Sequence, residues 1–197
     1  MNIESSLVPL NNELDGVILI GGQSKRMGKP KALLSFNGKL LYQHLAQILQ
    51  NSFDQVYLSH NVKQFVLTDS KYAIIEDRLP SSGPISGIIS CLEQLNKPLF
   101  VLPCDMPFIT TEIVLDILSR RNTENMCTVY FNETNGFYEP LLGVWEQKSL
   151  EILKDSFSDG VFSLQKILQK NKVSKNIPLD ISIFKNLNTP DDYESIL

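Results

Sequence analysis

The sequence predicts an α/β fold, a Rossmann-like three-layer sandwich with a mostly parallel central sheet. Two observations lead there. Short apolar runs rich in β-branched residues alternate along the chain with amphipathic helical stretches. The clearest of these runs, Gly16-Val17-Ile18-Leu19-Ile20, has no polar alternation and reads as a strand buried on both faces. Bulk properties agree. At 197 residues, 43% hydrophobic and 20% charged, the chain suits one ordinary domain with a full core.

The elements follow in order. Residues 1–15 read as a loose lead-in, and residues 16–20 as the first strand, stopped by Gly21-Gly22. Residues 39–50 place Leu40, Leu41, Leu45, Ile48 and Leu49 on one helical face. Strands are expected at 53–59 and 72–76, then a helix at 85–95 entered through Gly83-Pro84, then a buried strand at 98–103 ending at Cys104-Asp105. Thr110 or Thr111 caps a helix running to Arg120. Residues 126–131 and 138–145 read as strands, and 149–155 and 163–169 as short helices. In the tail, Thr189 is an N-cap and Pro190 the first helical residue. Ligands of such folds sit beyond the carboxyl ends of the strands, near a topological switch point. The loops after Ile20, Ser59, Glu76 and Pro103 are therefore expected to line one cleft.

Composition excludes several functions. The net charge of −4 is spread with mixed signs, without the basic field that non-specific nucleic-acid binding needs, so a small-molecule substrate is expected and no nucleic acid. Cys91, Cys104 and Cys127 are odd in number and far apart, with no metal-finger or redox spacing; buried, reduced thiols follow. No secretory pattern opens the chain, and the longest apolar run, near residues 17–20, is far short of a membrane span. A soluble cytoplasmic protein is expected.

The segment 21–31 carries the first chemical signal. Two adjacent glycines after a buried strand let backbone N–H groups approach an anion, and Lys25, Arg26, Lys29 and Lys31 place four cations within seven residues. Such a loop suits a di- or triphosphate. It is not a P-loop, because Gly22 and Gly28 are one residue too far apart and Lys29 is followed by Pro30. Adjacent Gly21 and Gly22 also exclude the dinucleotide fingerprint. An ordinary basic surface loop is the competing reading. Asp105, at the end of an apolar strand, suits a hard cation such as Mg²⁺, which typically takes one or two carboxylates with waters and phosphates. Alone it would read as a turn aspartate; with a phosphate cradle at the same sheet edge it reads as a ligand. Asp77, also just past a strand, could accept hydrogen bonds from a base or sugar, and Gly83 and Gly87 could bring backbone close to it. His44 reads as structural, and two histidines give no acyl-transfer pattern.

These residues resemble a known family. Leu19-Ile20-Gly21-Gly22-x-Ser24-x-Arg26-Met27-Gly28-x-x-Lys31-x-Leu33-Leu34 is similar to the signature loop of the MobA-like nucleotidyltransferases, and within them to the molybdenum cofactor guanylyltransferases. The family usually has Leu-Ala-Gly-Gly at the start and Asp before the lysine; here Ile20 and Pro30 stand there. Glu76-Asp77 with Gly83-Pro84-Ile85-Ser86-Gly87 resembles its base-side loop, and Cys104-Asp105-Met106-Pro107 its metal-binding turn. Glu139-Pro140-Leu141 and Ser163-Leu164 look like segments of its acceptor half, and Asn186-Leu187-Asn188-Thr189-Pro190-Asp191-Asp192 its closing motif.

The resemblance spans almost the whole chain from about residue 16 and implies a single nucleotidyltransferase domain over 1–197. Its nucleotide-binding half would be about 16–108 and its acceptor-binding half about 109–197. It implies transfer of GMP from GTP to Mo-molybdopterin, with Mg²⁺ as cofactor and pyrophosphate as second product. Leu19, Ile20, Gly21, Gly22, Lys31, Asp77 and Asp105 would bind GTP, and Asp105 would also hold Mg²⁺. Arg26, Lys31 and Asp105 would be catalytic, and Asn186 and Asn188 would face the pterin acceptor. The contact made after the second strand, by Ser59 or Asn61, stays open. Transient contact with proteins that deliver the pterin or receive the product is also expected. Two other readings stand beside this one. A related enzyme could use CTP on molybdopterin, or an NTP on a sugar or alcohol phosphate. A non-catalytic nucleotide-binding regulatory module would keep the scaffold without the reaction.

Overall fold

A computed structural model of the protein describes residues 13–21, 29–61, 67, 70–80, 82–178 and 184–195. Strand β1 (Asp15–Leu19) opens it. A 3-10 turn at Lys31–Leu33 leads to a small hairpin, β2 (Ser35–Phe36) and β3 (Lys39–Leu40), and helix α1 (Leu41–Gln50) follows. The helix expected from residue 39 therefore starts two residues later. Asn37 and Gly38 have φ of 50° and 74°, the left-handed pair that a tight hairpin turn requires, and the turn commits Lys39 and Leu40 to the ladder.

Next come β4 (Val56–His60), β5 (Ala73–Glu76), α2 (Pro84–Leu95) and β6 (Leu99–Pro103). The strand expected from residue 53 begins only at Val56, because the backbone N–H of Phe53 still bonds back to the Leu49 carbonyl at the end of α1 (2.9 Å). The second half holds α3 (Thr111–Ser119), β7 (Cys127–Asn132), β8 (Phe137–Trp145), α4 (Ser149–Ser158), α5 (Leu164–Lys170), β9 (Val173–Asn176) and α6 (Pro190–Glu194). Strand β9 was not expected: only Val173 in it is strongly apolar. It lies at a sheet edge beside β7, where polar residues are normal.

Seven strands form one sheet in the order β5-β4-β1-β6-β8-β7-β9. The β1–β4, β1–β6, β4–β5 and β7–β9 pairs are parallel, whereas β8 runs antiparallel to both β6 and β7. From β1 the chain builds outward through β4 and β5, then returns to place β6 on the other side of β1. That reversal is the topological switch point, and it lies at the carboxyl ends of β1 and β6.

Apolar clusters cover both faces. Ile18, Phe100 and Leu142 join Leu45 and Leu49 of α1 and Val114 and Ile117 of α3. Val17, Leu19, Val101 and Trp145 join Ile85, Ile88 and Leu92 of α2, Leu153 of α4 and Ile167 of α5. Successive β1 side chains enter opposite clusters, which is why that strand shows no alternation. All three cysteines are buried free thiols, and burial pushes those of Cys91 and Cys104 up to about 12. Among the described residues, no helix is long and apolar enough to cross a membrane.

Two polar ties cross the fold. Arg121 grips Glu146 with Nε and Nη2 donating to its two carboxylate oxygens at 2.7 and 2.9 Å, joining the end of α3 to the end of β8. In the tail, the Leu187 N–H donates to the Asp105 carbonyl (2.9 Å) with the Leu187 side chain fully buried. The closing segment thereby packs against the turn after β6.

Candidate active site

One cleft of about 760 Å³ opens over the switch point, a volume in the ordinary range for a small-molecule site. Leu19, Ile20 and Gly21 reach it from β1, Ser59 and Asn61 from β4, Asp77 from β5, and Pro103, Cys104 and Asp105 from β6. Backbone bonds hold these strand ends together: Ile20 N–H donates to the Ser59 carbonyl (2.9 Å), Cys104 N–H to Leu19 (3.2 Å) and Asp77 N–H to His60 (3.1 Å). The expected convergence of the loops after Ile20, Ser59, Glu76 and Pro103 is present.

Lys31 is the hub. Its Nζ donates to Asp105 Oδ2 at 2.9 Å and to Asn188 Oδ1 at 2.8 Å, so residues distant in sequence meet at one ammonium. Both charged side chains are largely enclosed, with 17% of Lys31 and 23% of Asp105 exposed. The 3-10 turn that begins at Lys31 fixes the lysine's base. Asn188 is fixed from behind by a capping box at the start of α6. Its N–H and that of Thr189 donate to Asp192 Oδ2 (2.9 and 2.8 Å), and Asp192 N–H donates back to Thr189 Oγ1 (3.1 Å). Thr189 and Pro190 take the N-cap and first-helical places expected of them.

The donors around that ammonium are hard oxygens already surrounding a positive charge. Hence this centre fits a hard divalent cation bound through Asp105, with substrate phosphates completing its shell. Among the described residues, no group of three or more His, Cys, Asp or Glu side chains could hold a metal without such help.

At the other end of the cleft, Ser59 Oγ donates to Asp77 Oδ1 (3.1 Å). Burial raises the Asp77 carboxyl above its usual range, against the opposing effects of the Ser59 hydrogen bond and of His60. Gly87 of α2 makes this packing possible: a Cβ there would lie 2.9 Å from Ser59 Oγ and 3.4 Å from Asp77 Oδ1. Gly83 and Pro84 at the start of α2 also line the cleft.

Leu19, Ile20, Gly21, Lys31, Asp77 and Asp105 thus line the cleft together, and Asn188 is bonded into its centre. Asn186 does not line it; its Oδ1 is buried without a hydrogen-bond partner among the described residues. Gly22 and Arg26 lie outside the described residues. His44 has the structural place expected of it, with Nε2 3.2 Å from the Pro107 carbonyl. Ser59 and Asn61, left open from sequence, both line the cleft. Phe162 was missed as a lining residue, and nothing in its local sequence marks it, since it is brought in by the chain between α4 and α5.

A cleft at the switch point, with a lysine–carboxylate–asparagine centre and a serine–aspartate pair also lining it, is the arrangement of an α/β protein that handles a small polar ligand. Residues 16–174 match the MobA-like NTP transferase domain, and the chain belongs to that family of nucleotidyltransferases. Members of this family generally use a divalent metal.

Curated relatives include a "Probable molybdenum cofactor guanylyltransferase" of Methanocaldococcus jannaschii, 32% identical over 194 residues that cover 90% of this chain and 95% of that protein. A protein of the same name from Geobacillus is 29% identical over 94% of this chain and 99% of its own length. A "Molybdenum cofactor biosynthesis bifunctional protein" of Synechocystis is 30% identical, and this chain spans about half of it, 53%. Among solved structures, molybdopterin-guanine dinucleotide biosynthesis protein A of Archaeoglobus fulgidus superposes with a TM-score of 0.79 at 20% identity, covering 93% of this chain and 96% of that one, a likeness of fold.

Proposed function

We propose that this chain transfers GMP from GTP to the terminal phosphate of Mo-molybdopterin, yielding the guanine dinucleotide form of the cofactor and pyrophosphate, with Mg²⁺ as the metal. The observation that carries this reading is the Lys31 ammonium held by both the Asp105 carboxylate and the Asn188 amide oxygen at the switch-point cleft. The family membership supports it, as do relatives named for guanylyl transfer.

In this reading the guanine lies at the Asp77–Ser59 end, where a half-buried carboxylate meets the N–H donors of the base. The Gly21 backbone and Lys31 receive the phosphates. Bound Mg²⁺ at Asp105 supplies charge neutralisation on the α-phosphate. An oxygen of the acceptor phosphate forms the new bond to the α-phosphorus, the α–β bridging bond breaks, and pyrophosphate leaves. Lys31 offsets the negative charge that grows as it does. Asn188, joined to Lys31, stands where acceptor and donor phosphates would meet; a catalytic role for Arg26 and a GTP contact for Gly22 are assigned from the family resemblance alone. Asn186 is assigned to the acceptor side. The nucleotide half would then run over 16–108 and the acceptor half over 109–197, in a cytoplasmic enzyme that meets its pterin-delivering and product-receiving proteins transiently.

Pyrophosphate release tests it. With GTP and Mg²⁺, release is expected to depend on added Mo-molybdopterin and to match its consumption one for one. Stable GTP binding without any release in the presence of the acceptor would favour a regulatory module instead.

A further inference from the structure

Helix α2 carries a line of polar residues that its packing does not call for. Its apolar side chains Ile85, Ile88, Ile89 and Leu92 are buried against the sheet. Ser86 and Ser90 are also fully buried, and Gln94 follows at the same spacing of four, so the three lie along one edge of the helix. Serine is a poor residue for a helix interior, and a buried hydroxyl is costly unless it is bonded. Alanine would serve the helix alone better. The partners explain the choice. All three side chains bond backbone groups of residues 76–82, the segment that leaves β5 and carries Asp77.

The bonds run in order along the helix. Ser86 Oγ donates to the Pro80 carbonyl (3.0 Å) and accepts from the Ser82 N–H (3.2 Å). Ser90 Oγ accepts from the Arg78 N–H (3.0 Å). Gln94 Nε2 donates to the Glu76 carbonyl (3.1 Å) and to the Ser90 carbonyl (3.1 Å). Four helical residues rise about 6 Å and two extended residues span about 6.6 Å, so each step along the helix meets every second loop residue. Asp77 lies between two of these ties. The peptide before it is held at the Glu76 carbonyl by Gln94, and at its own N–H by the His60 carbonyl (3.1 Å). The peptide after it is held at the Arg78 N–H by Ser90.

Fixing both flanking peptide planes fixes φ and ψ of Asp77, and with them the direction of its side chain. The Ser59 hydroxyl, on Asp77 Oδ1, then sets the turn of the carboxylate. Ser90 does not line the cleft and acts only through Asp77, which does. We propose that Ser90 is a positioning residue for selection of the base. With Gln94 it holds the Asp77 backbone so that the carboxylate meets the exocyclic amino group of guanine. Such a bond discriminates well only when its acceptor is preorganised, because a carboxylate free to swing turns to water instead. The inference rests on the reading that places guanine at the Asp77–Ser59 end of the cleft.

The test compares binding of GTP and of inosine triphosphate, whose base lacks only that amino group, to the full-length chain with Mg²⁺ by calorimetry. The wild type is expected to bind GTP ~10-fold or more tightly than the inosine nucleotide. Ser90→Ala should lower that preference at least about threefold by weakening GTP more than its analogue. Gln94→Ala, at a half-buried position, should do the same and reads the ratio if Ser90→Ala fails to fold. Ser149→Ala is the control. It removes another fully buried hydroxyl, which donates to the Glu146 carbonyl (2.7 Å) beside the start of β6, at the far end of the sheet from the cleft. Its ratio should stay within about twofold of the wild type's. An unchanged ratio in folded Ser90→Ala overturns the inference, and so does an equal fall in Ser149→Ala, which would mean general loosening. If the wild type binds both nucleotides equally, the placement of guanine at Asp77 fails and this inference falls with it, a result read on the wild type alone.

Discussion

At the scale of the residue, the account rests on a few side chains whose surroundings set their chemistry. Lys31 is enclosed between a carboxylate and an amide oxygen, so its charge is directed at the centre of the cleft rather than at solvent. Lys31→Ala and Asp105→Ala are each expected to lower kcat by ~100-fold or more, since removing a preorganised group that stabilises transition-state charge costs about that much. Circular dichroism should show both variants folded, and near-wild-type turnover by either would contradict its role.

Glu139 provides a pH prediction. Burial, with the Asp105 charge adding to it, lifts its carboxyl from 4.5 to about 7. The folded metal-free protein therefore holds that proton more tightly than the unfolded chain does. The resulting stability is fully present below pH 4.5 and is lost as pH rises through about 7. Glu139→Gln cannot lose a proton, so in metal-free protein its Tm should exceed the wild type's at pH 8 and match it near pH 4. An equal difference at both pH values would contradict this burial of the carboxyl.

Much of the site was legible at this scale because strand-end residues follow recognisable apolar runs: Asp77 and Asp105 both do. The Lys31–Asn188 contact was not legible, because it spans 157 positions and depends on where the tail docks. Phe162 was invisible for a related reason, since its only signal is its place beside the cleft.

At the scale of the element, turn and cap chemistry decides what the hydrophobic pattern leaves ambiguous. The Lys39–Leu40 pair looked helical by periodicity, but a left-handed Asn37-Gly38 turn claims it for a hairpin. Strand β9 is a polar edge strand whose residues carry almost no period-two signal, so only its parallel pairing with β7 reveals it. Conversely, the N-cap at Thr189 was readable locally and is present, and the structure adds Asp192 to it as a capping box. Thr189→Ala is expected to cost about 1 kcal/mol in urea denaturation, the usual value of an N-cap. Because the same box fixes the Asn188 backbone beside Lys31, that variant should also lose transfer rate, unlike a cap mutation remote from the cleft.

At the scale of the whole molecule, the reversal of strand order at β1 and β6 places the cleft, and two apolar layers hold that sheet edge rigid. The α/β class with a mostly parallel sheet was evident from the order of the elements. The strand order was not, since β8 runs antiparallel between β6 and β7 and nothing local in the sequence specifies that. The buried Arg121–Glu146 pair ties the second half together, with 13% and 6% of the two side chains exposed. Arg121→Ala would leave the Glu146 charge buried without its partner, so a loss of about 3 kcal/mol or more is expected in chemical denaturation. A loss under about 1 kcal/mol would mean that water replaces the arginine.

The identity of the transferred nucleotide bears on every scale at once, because it requires the base end, the phosphate centre and the acceptor end to work together. Equimolar GTP and CTP can be offered to the protein with Mg²⁺ and Mo-molybdopterin, and the product analysed by mass spectrometry. The account predicts the guanine dinucleotide as the dominant product, formed ~100-fold or more slowly with Lys31→Ala. A product carrying CMP, or no dinucleotide from either nucleotide, would contradict it.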